Sequence, residues 1–109
     1  MTEFIQIITT VERAEDGERI ATALLAARLA ACVQIVGPIV SHYWWQGKME
    51  QASEYQCCIK SRRDLFAEVE AAIVAIHPYQ TPEILATPVV AGGAGYLAWL
   101  GAELRPGKP

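Results

Sequence analysis

The chain has 109 residues, of which 52% are hydrophobic and 19% are charged, and it carries a formal net charge of −3 at pH 7. This length predicts a single domain over residues 1–109, which buries roughly 65% of the surface exposed by its unfolded chain. The acidic balance and the lack of a basic stripe exclude nucleic acid as an expected partner. No stretch approaches the ~20 apolar residues that span a bilayer, and the N-terminal segment lacks the features of a signal peptide. We therefore expect a cytoplasmic protein with no membrane partner.

The beginning of the chain predicts a strand and then a helix. Residues 3–9 are almost wholly apolar, which is typical of a central strand covered on both faces. The segment 14–28 is rich in strong helix formers. Within it, Ile20, Leu24 and Ala27 recur at helical spacing, so this segment predicts a helix with one apolar stripe.

A long β-hairpin is predicted next. Residues 32–45 and 48–61 have the character of strands, and Gln46-Gly47 forms the turn because glycine supplies the positive φ that such turns need. Gly37-Pro38 predicts a bend or bulge in the first arm. Each arm would extend roughly 46 Å, whereas a compact chain of this length is only about 34 Å across.

The tip of this hairpin carries Tyr43, Trp44 and Trp45. Aromatic surface is costly to leave in water, at ~25 cal/mol per Å², and unpaired strand edges invite another chain. We therefore expect a homo-oligomer in which the hairpin pairs or packs across subunits. The alternative is an exposed, mobile β-ribbon.

The three cysteines, Cys32, Cys57 and Cys58, lack the spacing of a metal site. With a two-residue turn, facing residue numbers sum to about 93, so Cys57 lies opposite Val36. Cys32 would then be roughly 13 Å from Cys57, too far for a disulfide. We expect small buried thiols in a reducing compartment.

The second half of the chain predicts a helix, an edge strand and a terminal helix. A capping box that starts at Ser61 would open the helix, and Pro78 would end it. Residues 83–90 predict a strand best placed at a sheet edge, and residues 96–104 predict a short helix. The order β-α-β-β-α-β with a terminal helix predicts an α+β, ferredoxin-like fold with an antiparallel sheet.

Three segments, in this order and spacing, resemble the CutA family of divalent-ion tolerance proteins. They are LAACVQIVGPIVSHYWWQGKMEQASEYQCCIKS, HPYQTPEI and GYLAWL. The resemblance covers nearly the whole chain and implies a ferredoxin-like subunit in a tight trimer, with long hairpins extending the sheets between neighbours. It also implies a function in tolerance of copper and other divalent ions.

The same resemblance implies a candidate metal site. In the family, copper binding has been attributed to a cysteine, a histidine and a glutamate, and the matching positions for the last two are His77 and Glu83. The cysteine position is occupied by Thr9, which cannot supply the soft thiolate that favours Cu(I). The remaining imidazole and carboxylate suit Cu(II) or Zn(II), with water or a neighbouring subunit completing the shell.

The segment HPYQTPEI also admits a purely structural interpretation. His77 follows a helix whose dipole favours the protonated imidazole, so it can be a C-terminal cap rather than a ligand. Tyr79 can be a packed ring with a paired hydroxyl, and Glu83 can accept hydrogen bonds from loop amides. His42, on the hairpin, is a weaker ligand candidate.

We expect no enzyme, because the sequence contains no nucleophile elbow, no HExxH and no phosphate-binding loop after a strand. The leading hypothesis is a trimeric copper-binding or other divalent-metal-binding protein that responds to metal ions, without a firmly bound cofactor. One alternative is a PII-like sensor that binds a small ligand at the subunit interface. A purely structural trimerisation module is the other, and fold analogy alone cannot rank the two.

Overall fold

A four-stranded antiparallel sheet organises residues 3–107, the part of the chain described by the computed structural model. The strands are β1 (Phe4–Val11), β2 (Cys32–Trp45), β3 (Lys48–Arg62) and β4 (Leu85–Pro88), in the spatial order β2-β3-β1-β4. The α-helices are α1 (Ala14–Ala26), α2 (Phe66–Ile76) and α3 (Ala94–Glu103). The predicted α+β class is confirmed, while both ends of the predicted domain, at residues 1 and 109, lie outside the described residues.

The core forms where α1 and α2 pack against the central strands. Along β1, Ile5 and Ile7 are buried while Gln6 between them is only half-buried, so one face of the strand points into the core. On α1, Ile20 and Leu24 are buried, as the helical spacing predicted. The first strand is therefore central, but one of its faces is less completely covered than its apolar sequence suggests.

Helix α1 ends before the predicted residue 28, because Arg28 adopts a left-handed φ of 54°. The backbone N–H of Leu29 then donates to the Leu24 carbonyl at 3.0 Å, which closes the last turn. The Arg28 guanidinium donates to the Glu103 carboxylate at 3.1 Å and to the Glu103 backbone carbonyl at 3.0 Å. The end of α1 is thereby tied to the C-terminal helix.

The predicted capping box at Ser61 is wrong. Ser61 is buried in β3, and its hydroxyl donates to the Leu29 carbonyl at 2.6 Å, so it does not cap the next helix. A short 3-10 turn leads into α2 instead. The predicted end is confirmed, because α2 stops at Ile76 and His77 is already extended in front of Pro78.

Strand β4 is shorter than the predicted segment 83–90, because it pairs only with residues 5–8 of β1. It lies at the edge of the sheet, as its proline predicted. Helix α3 occupies the predicted position near the C-terminus, beginning at Ala94 rather than at residue 96.

The long hairpin is confirmed, and so is its bulge. Trp45 lies opposite Lys48 at the tip, and the register shifts between Val36 and Ile39. Gly37, whose peptide bond to Pro38 is cis, lies at this shift. A Cβ on Gly37 would stand 2.5 Å from the Tyr55 ring and 3.1 Å from the Glu54 carbonyl oxygen. Only glycine fits this close approach of the two strands.

Beyond the bulge, the two faces of the hairpin differ in character. One face carries Ser41, Tyr43 and Trp45, which are alternate residues of β2. Ala52 of β3 lies opposite Ser41 and is on the same face. The other face is defined here as the outer hairpin face. It carries Val40, His42 and Trp44 of β2, and the name refers below to its three apolar members, Val40, Trp44 and Met49.

The outer hairpin face is apolar and uncovered within the chain. Val40 is 62% exposed, Trp44 71% and Met49 77%. The described chain measures 43 × 26 × 22 Å, so the structure is elongated as predicted. Its longest dimension is nevertheless shorter than the roughly 46 Å predicted for one arm, because twist and the bulge shorten a strand. Apolar side chains exposed to this extent are typical of surfaces that contact other proteins.

The three cysteines are free thiols. Cys57 lies opposite Ile35, one position from the predicted Val36, because of the bulge. Burial, followed by the neighbouring Cys58, raises the pKa of Cys57 to about 11. Cys57 is therefore a protonated, packed thiol at neutral pH rather than a thiolate.

Candidate functional site

A cavity of about 790 Å³ opens where the hairpin meets the loop between α2 and β4. The face of the hairpin that carries Ser41, Tyr43 and Trp45, called the inner hairpin face below, lines the cavity, and Trp44 of the other face also contributes to the lining. The loop supplies residues 79–83. Thr10, near the end of β1, closes one side. The predicted ligand Glu83 lines this cavity, and His42 of the hairpin lies at it as well.

The charge of the cavity is uniformly acidic. Glu12, Glu54 and Glu83 line it, and among the described lining residues there is no lysine or arginine. Clefts lined by charges of one sign concentrate the opposite ion, because their low-dielectric walls focus the field. The cavity is therefore suited to cations and unsuited to phosphates or other anions.

A hydrogen bond between Tyr79 and Glu54 fixes the loop against the hairpin. The Tyr79 hydroxyl donates to Glu54 Oε2 at 2.7 Å, and the Glu54 carboxylate is buried. Burial raises the pKa of Tyr79 above its ordinary value, and the hydrogen bond and charge of Glu54 raise it further, with smaller effects from Glu12 and Tyr43. Tyr79 therefore remains a neutral donor at neutral pH, with the paired hydroxyl that the structural interpretation expected.

Both ring nitrogens of His77 are engaged within the chain. The backbone N–H of Tyr79 donates to His77 Nδ1 at 3.1 Å, so Nδ1 must be the unprotonated nitrogen. Nε2 then carries the hydrogen and donates to the Thr10 carbonyl at 2.9 Å. The Tyr79 ring also packs on the imidazole, with ring centroids 4.8 Å apart. His77 thus links the end of α2 to β1 and orients the loop.

The expectation that the helix dipole favours protonated His77 is wrong. Burial lowers the pKa of His77 below its ordinary value of 6.5, and this effect outweighs the Thr10 carbonyl and the negative charges of Asp16 and Glu54, which act in the opposite direction. The imidazole is therefore neutral at pH 7, which is the state that a metal ligand needs.

The lowered pKa of His77 predicts loss of stability in mild acid. The unfolded chain takes up the proton near pH 6.5 and the folded chain only at lower pH, so the free energy of unfolding should fall as pH drops from about 7.5 to about 5.5. His77→Gln should flatten this part of the curve. Urea titrations at one chain concentration test this, and an undiminished slope in His77→Gln would contradict it.

Thr9, at the position where the family resemblance implies a cysteine, is fully buried. Among the described residues its hydroxyl has no hydrogen-bond partner. Thr9 lies opposite Cys57 in the pairing of β1 with β3, so the two side chains share a face of the sheet. A thiol is thus present beside Thr9, and its raised pKa means that it carries its proton at neutral pH.

In the structure, Glu83 lines the cavity. His77 does not line the cavity but packs against the ring of Tyr79, which does. Sequence reasoning did not identify Glu54 or Glu12, and it assigned Tyr43 to contacts between subunits rather than to this cavity. Within residues 3–107, no three side chains of histidine, cysteine, aspartate or glutamate are grouped closely enough to hold a metal ion. In the sequence, Glu54 is marked only by its place on the hairpin, close to the bulge. Because a bulge shifts the pairing of the two strands, the residue that faces Glu54 cannot be read from the sequence.

The sheet, the projecting hairpin and the acidic cavity define a small α+β protein with a cation-attracting site. A family model described as CutA1 divalent ion tolerance protein matches residues 5–103. The chain belongs to this family, which connects it with tolerance of metal ions. Among the helices of residues 3–107, none has the length and apolar character to cross a bilayer.

Individual relatives agree with this assignment. The divalent-cation tolerance protein CutA of Archaeoglobus fulgidus is 45% identical over 100 residues, which span 92% of this chain and 95% of the relative. The crystal structure of CutA1 from Oryza sativa has a TM-score of 0.91 at 38% identity and covers 95% of each chain. A structure of CutA from Archaeoglobus fulgidus, described as periplasmic, has a TM-score of 0.90 at 41% identity over 94% of this chain and 99% of that one.

Proposed function

We propose that this chain is a cytoplasmic, homotrimeric protein that binds divalent metal ions, copper(II) first among them, and acts in metal-ion tolerance without catalysing a reaction. The observation that carries the proposal is the charge of the cavity. Three carboxylates line it, and none of its described lining residues is a lysine or an arginine. Carboxylate oxygens together with a neutral imidazole suit Cu(II) or Zn(II).

His77 would bind the metal through Nδ1. This is the nitrogen with a free electron pair, and at present it accepts the Tyr79 N–H. The other nitrogen already donates to the Thr10 carbonyl, which is the kind of bond that orients metal-ligating histidines. Binding at Nδ1 would therefore displace only the Tyr79 amide, and Glu83 would supply a carboxylate from the same loop.

Assembly is supported by the outer hairpin face and by the edges of the sheet. Strands β2 and β4 are the two outermost strands, so each can pair with a strand of another subunit. The element order and strand order agree with the ferredoxin-like plan that the family resemblance implies for a trimer. A neighbouring subunit or water would complete the metal shell that His77 and Glu83 begin.

Calorimetry with Cu(II) tests the metal proposal. We expect saturable binding by the wild-type protein and binding at least about tenfold weaker in His77→Ala and in Glu83→Gln, because each removes a proposed ligand. Glu70→Gln is the matched control for charge, since Glu70 lies exposed on α2 and outside the cavity.

Two results would contradict the metal proposal. Wild-type protein that binds neither Cu(II) nor Zn(II) would refute it outright. Equal affinities for wild type, His77→Ala and Glu83→Gln would remove these residues from the site.

A PII-like small-molecule sensor is the second candidate, and the size of the cavity favours it. Organic ligands occupy sites of roughly 300–1,000 Å³, a range that includes this cavity. A thermal-shift screen with neutral and cationic metabolites tests this alternative at the cavity, because a ligand of the folded state raises the melting temperature. If neither metals nor small molecules bind, the purely structural trimerisation module remains.

A further inference from the structure

The three cavity carboxylates do not converge on one point. Glu12, Glu54 and Glu83 line the same space, yet the described residues contain no group of three such side chains able to hold one ion. Metal ions contact their ligands at about 2.0–2.6 Å, so one ion would use only a small part of the cavity. The spacing of the carboxylates fits a larger cation better than it fits a lone metal ion.

The Glu54 carboxylate lacks a compensating charge. It is only 7% exposed, and its partner, the Tyr79 hydroxyl, is neutral. Among the salt bridges of residues 3–107, none involves Glu54. A buried carboxylate without a positive partner is costly, so the cavity beside it favours a cationic occupant.

Aromatic rings form much of the remaining wall. Tyr43 and Trp45 share the inner hairpin face, and Tyr79 lies on the facing loop. The faces of such rings attract ammonium groups, with tryptophan the most effective. Alkyl groups attached to the nitrogen also gain from contact with the rings, whereas a strongly hydrated metal ion does not.

We infer that this cavity binds an organic ammonium ion, with its charged nitrogen at the carboxylates of Glu54 and Glu83 and its carbon chain against Tyr43 and Trp45. The inference deepens the proposed cation-binding function of the same cavity by naming an organic class of ligand, and it does not require a bound metal. Neutral and anionic molecules of the same size are disfavoured by the acidic wall.

The first test compares two probes of equal length on the wild-type protein. 1,4-Diaminobutane carries two ammonium groups at neutral pH, and 1,4-butanediol is its neutral counterpart. With EDTA present and ionic strength matched with potassium chloride, calorimetry should show saturable binding of the diamine, and the diamine should raise the melting temperature. The diol should do neither.

The second test separates the aromatic wall from the carboxylates. Trp45 is 42% exposed and lines the cavity, whereas Trp99 is 43% exposed and lies on α3 outside it. Trp45→Leu should weaken diamine binding about fivefold, because leucine offers the carbon chain less apolar surface than an indole ring does. Trp99→Leu should not change it. Cu(II) affinity should be the same in both variants, because neither alters a carboxylate or an imidazole. Glu83→Gln, a change on the exposed loop, should weaken diamine binding as well.

Each outcome decides the inference. Equal responses to diamine and diol, or no response to either, would overturn it. So would wild-type affinity for the diamine in both Trp45→Leu and Glu83→Gln. Diamine binding without binding of either Cu(II) or Zn(II) would support the inference and refute the metal proposal. Binding of Cu(II) or Zn(II) without diamine binding would support the metal proposal and overturn the inference.

Discussion

If the protein is the proposed trimer, replacing Val40 and Trp44 together by aspartate should reduce the sedimenting mass from three chains to one chain of 11.9 kDa. Both side chains belong to the outer hairpin face and are mostly exposed within the chain. If that face packs against sister chains, each aspartate would bury a charge without a partner, which costs several kcal/mol per ion. Sedimentation velocity at micromolar concentration measures the change.

Val74→Asp is the control for this experiment. Val74 is a half-exposed valine on α2, away from the hairpin, so the same substitution should leave the assembly intact. A wild-type protein that sediments as a single folded chain would refute the proposed trimer. A double variant that stays trimeric would show that the outer hairpin face is not the contact.

Leu24→Ala should lower the free energy of unfolding by about 3 kcal/mol, within the range of roughly 2–5 kcal/mol for large-to-small changes in a core. Leu24 is 1% exposed, and its neighbour Leu25 on the same helix is 43% exposed. Leu25→Ala is therefore a matched control and should cost less than about 1 kcal/mol. Urea denaturation at one fixed chain concentration gives both values.

Equal losses for the two leucine variants would contradict the packing of α1 described above. Helix propensity cannot account for a difference between them, because both substitutions are the same and both positions lie in α1. The difference between the two losses in the free energy of unfolding therefore reflects the different burial of Leu24 and Leu25. A fixed chain concentration is needed because the stability of an oligomer depends on it.

Features governed by local periodicity could be predicted from the sequence. Alternating and helical patterns located all four strands and all three helices of the described residues. The length of the hairpin arms and the bulge at Gly37-Pro38 followed from strand geometry and from the backbone freedom of glycine. Each of these depends on residues close together in the chain.

Features decided by distant contacts could not be predicted in this way. Ser61 resembled a helix cap, but its hydroxyl is used by the Leu29 carbonyl from another part of the chain. Arg28 matched a helical pattern, but Glu103 holds its side chain beyond the end of α1. The pKa of His77 depends on burial against β1, which no local pattern records.

The candidate site was predictable only in part, because it is assembled from three separate segments. Glu83 and Tyr79 stood out within one rigid loop, whereas Glu54 lies on a hairpin strand among other polar residues. The bond between Tyr79 and Glu54 joins residues 25 positions apart. His77 was noticed as a possible ligand, but its role in orienting the loop became visible only through its two hydrogen bonds.

The bulge at Gly37 limits how the hairpin can change its length during evolution. It sets which side chains beyond it share each face of the hairpin. Inserting or deleting one residue per arm between the bulge and Ser41 would exchange the two faces, so that Tyr43 and Trp45 would move to the opposite face of the hairpin. Length variants that keep both surfaces must therefore gain or lose residues two at a time in each arm.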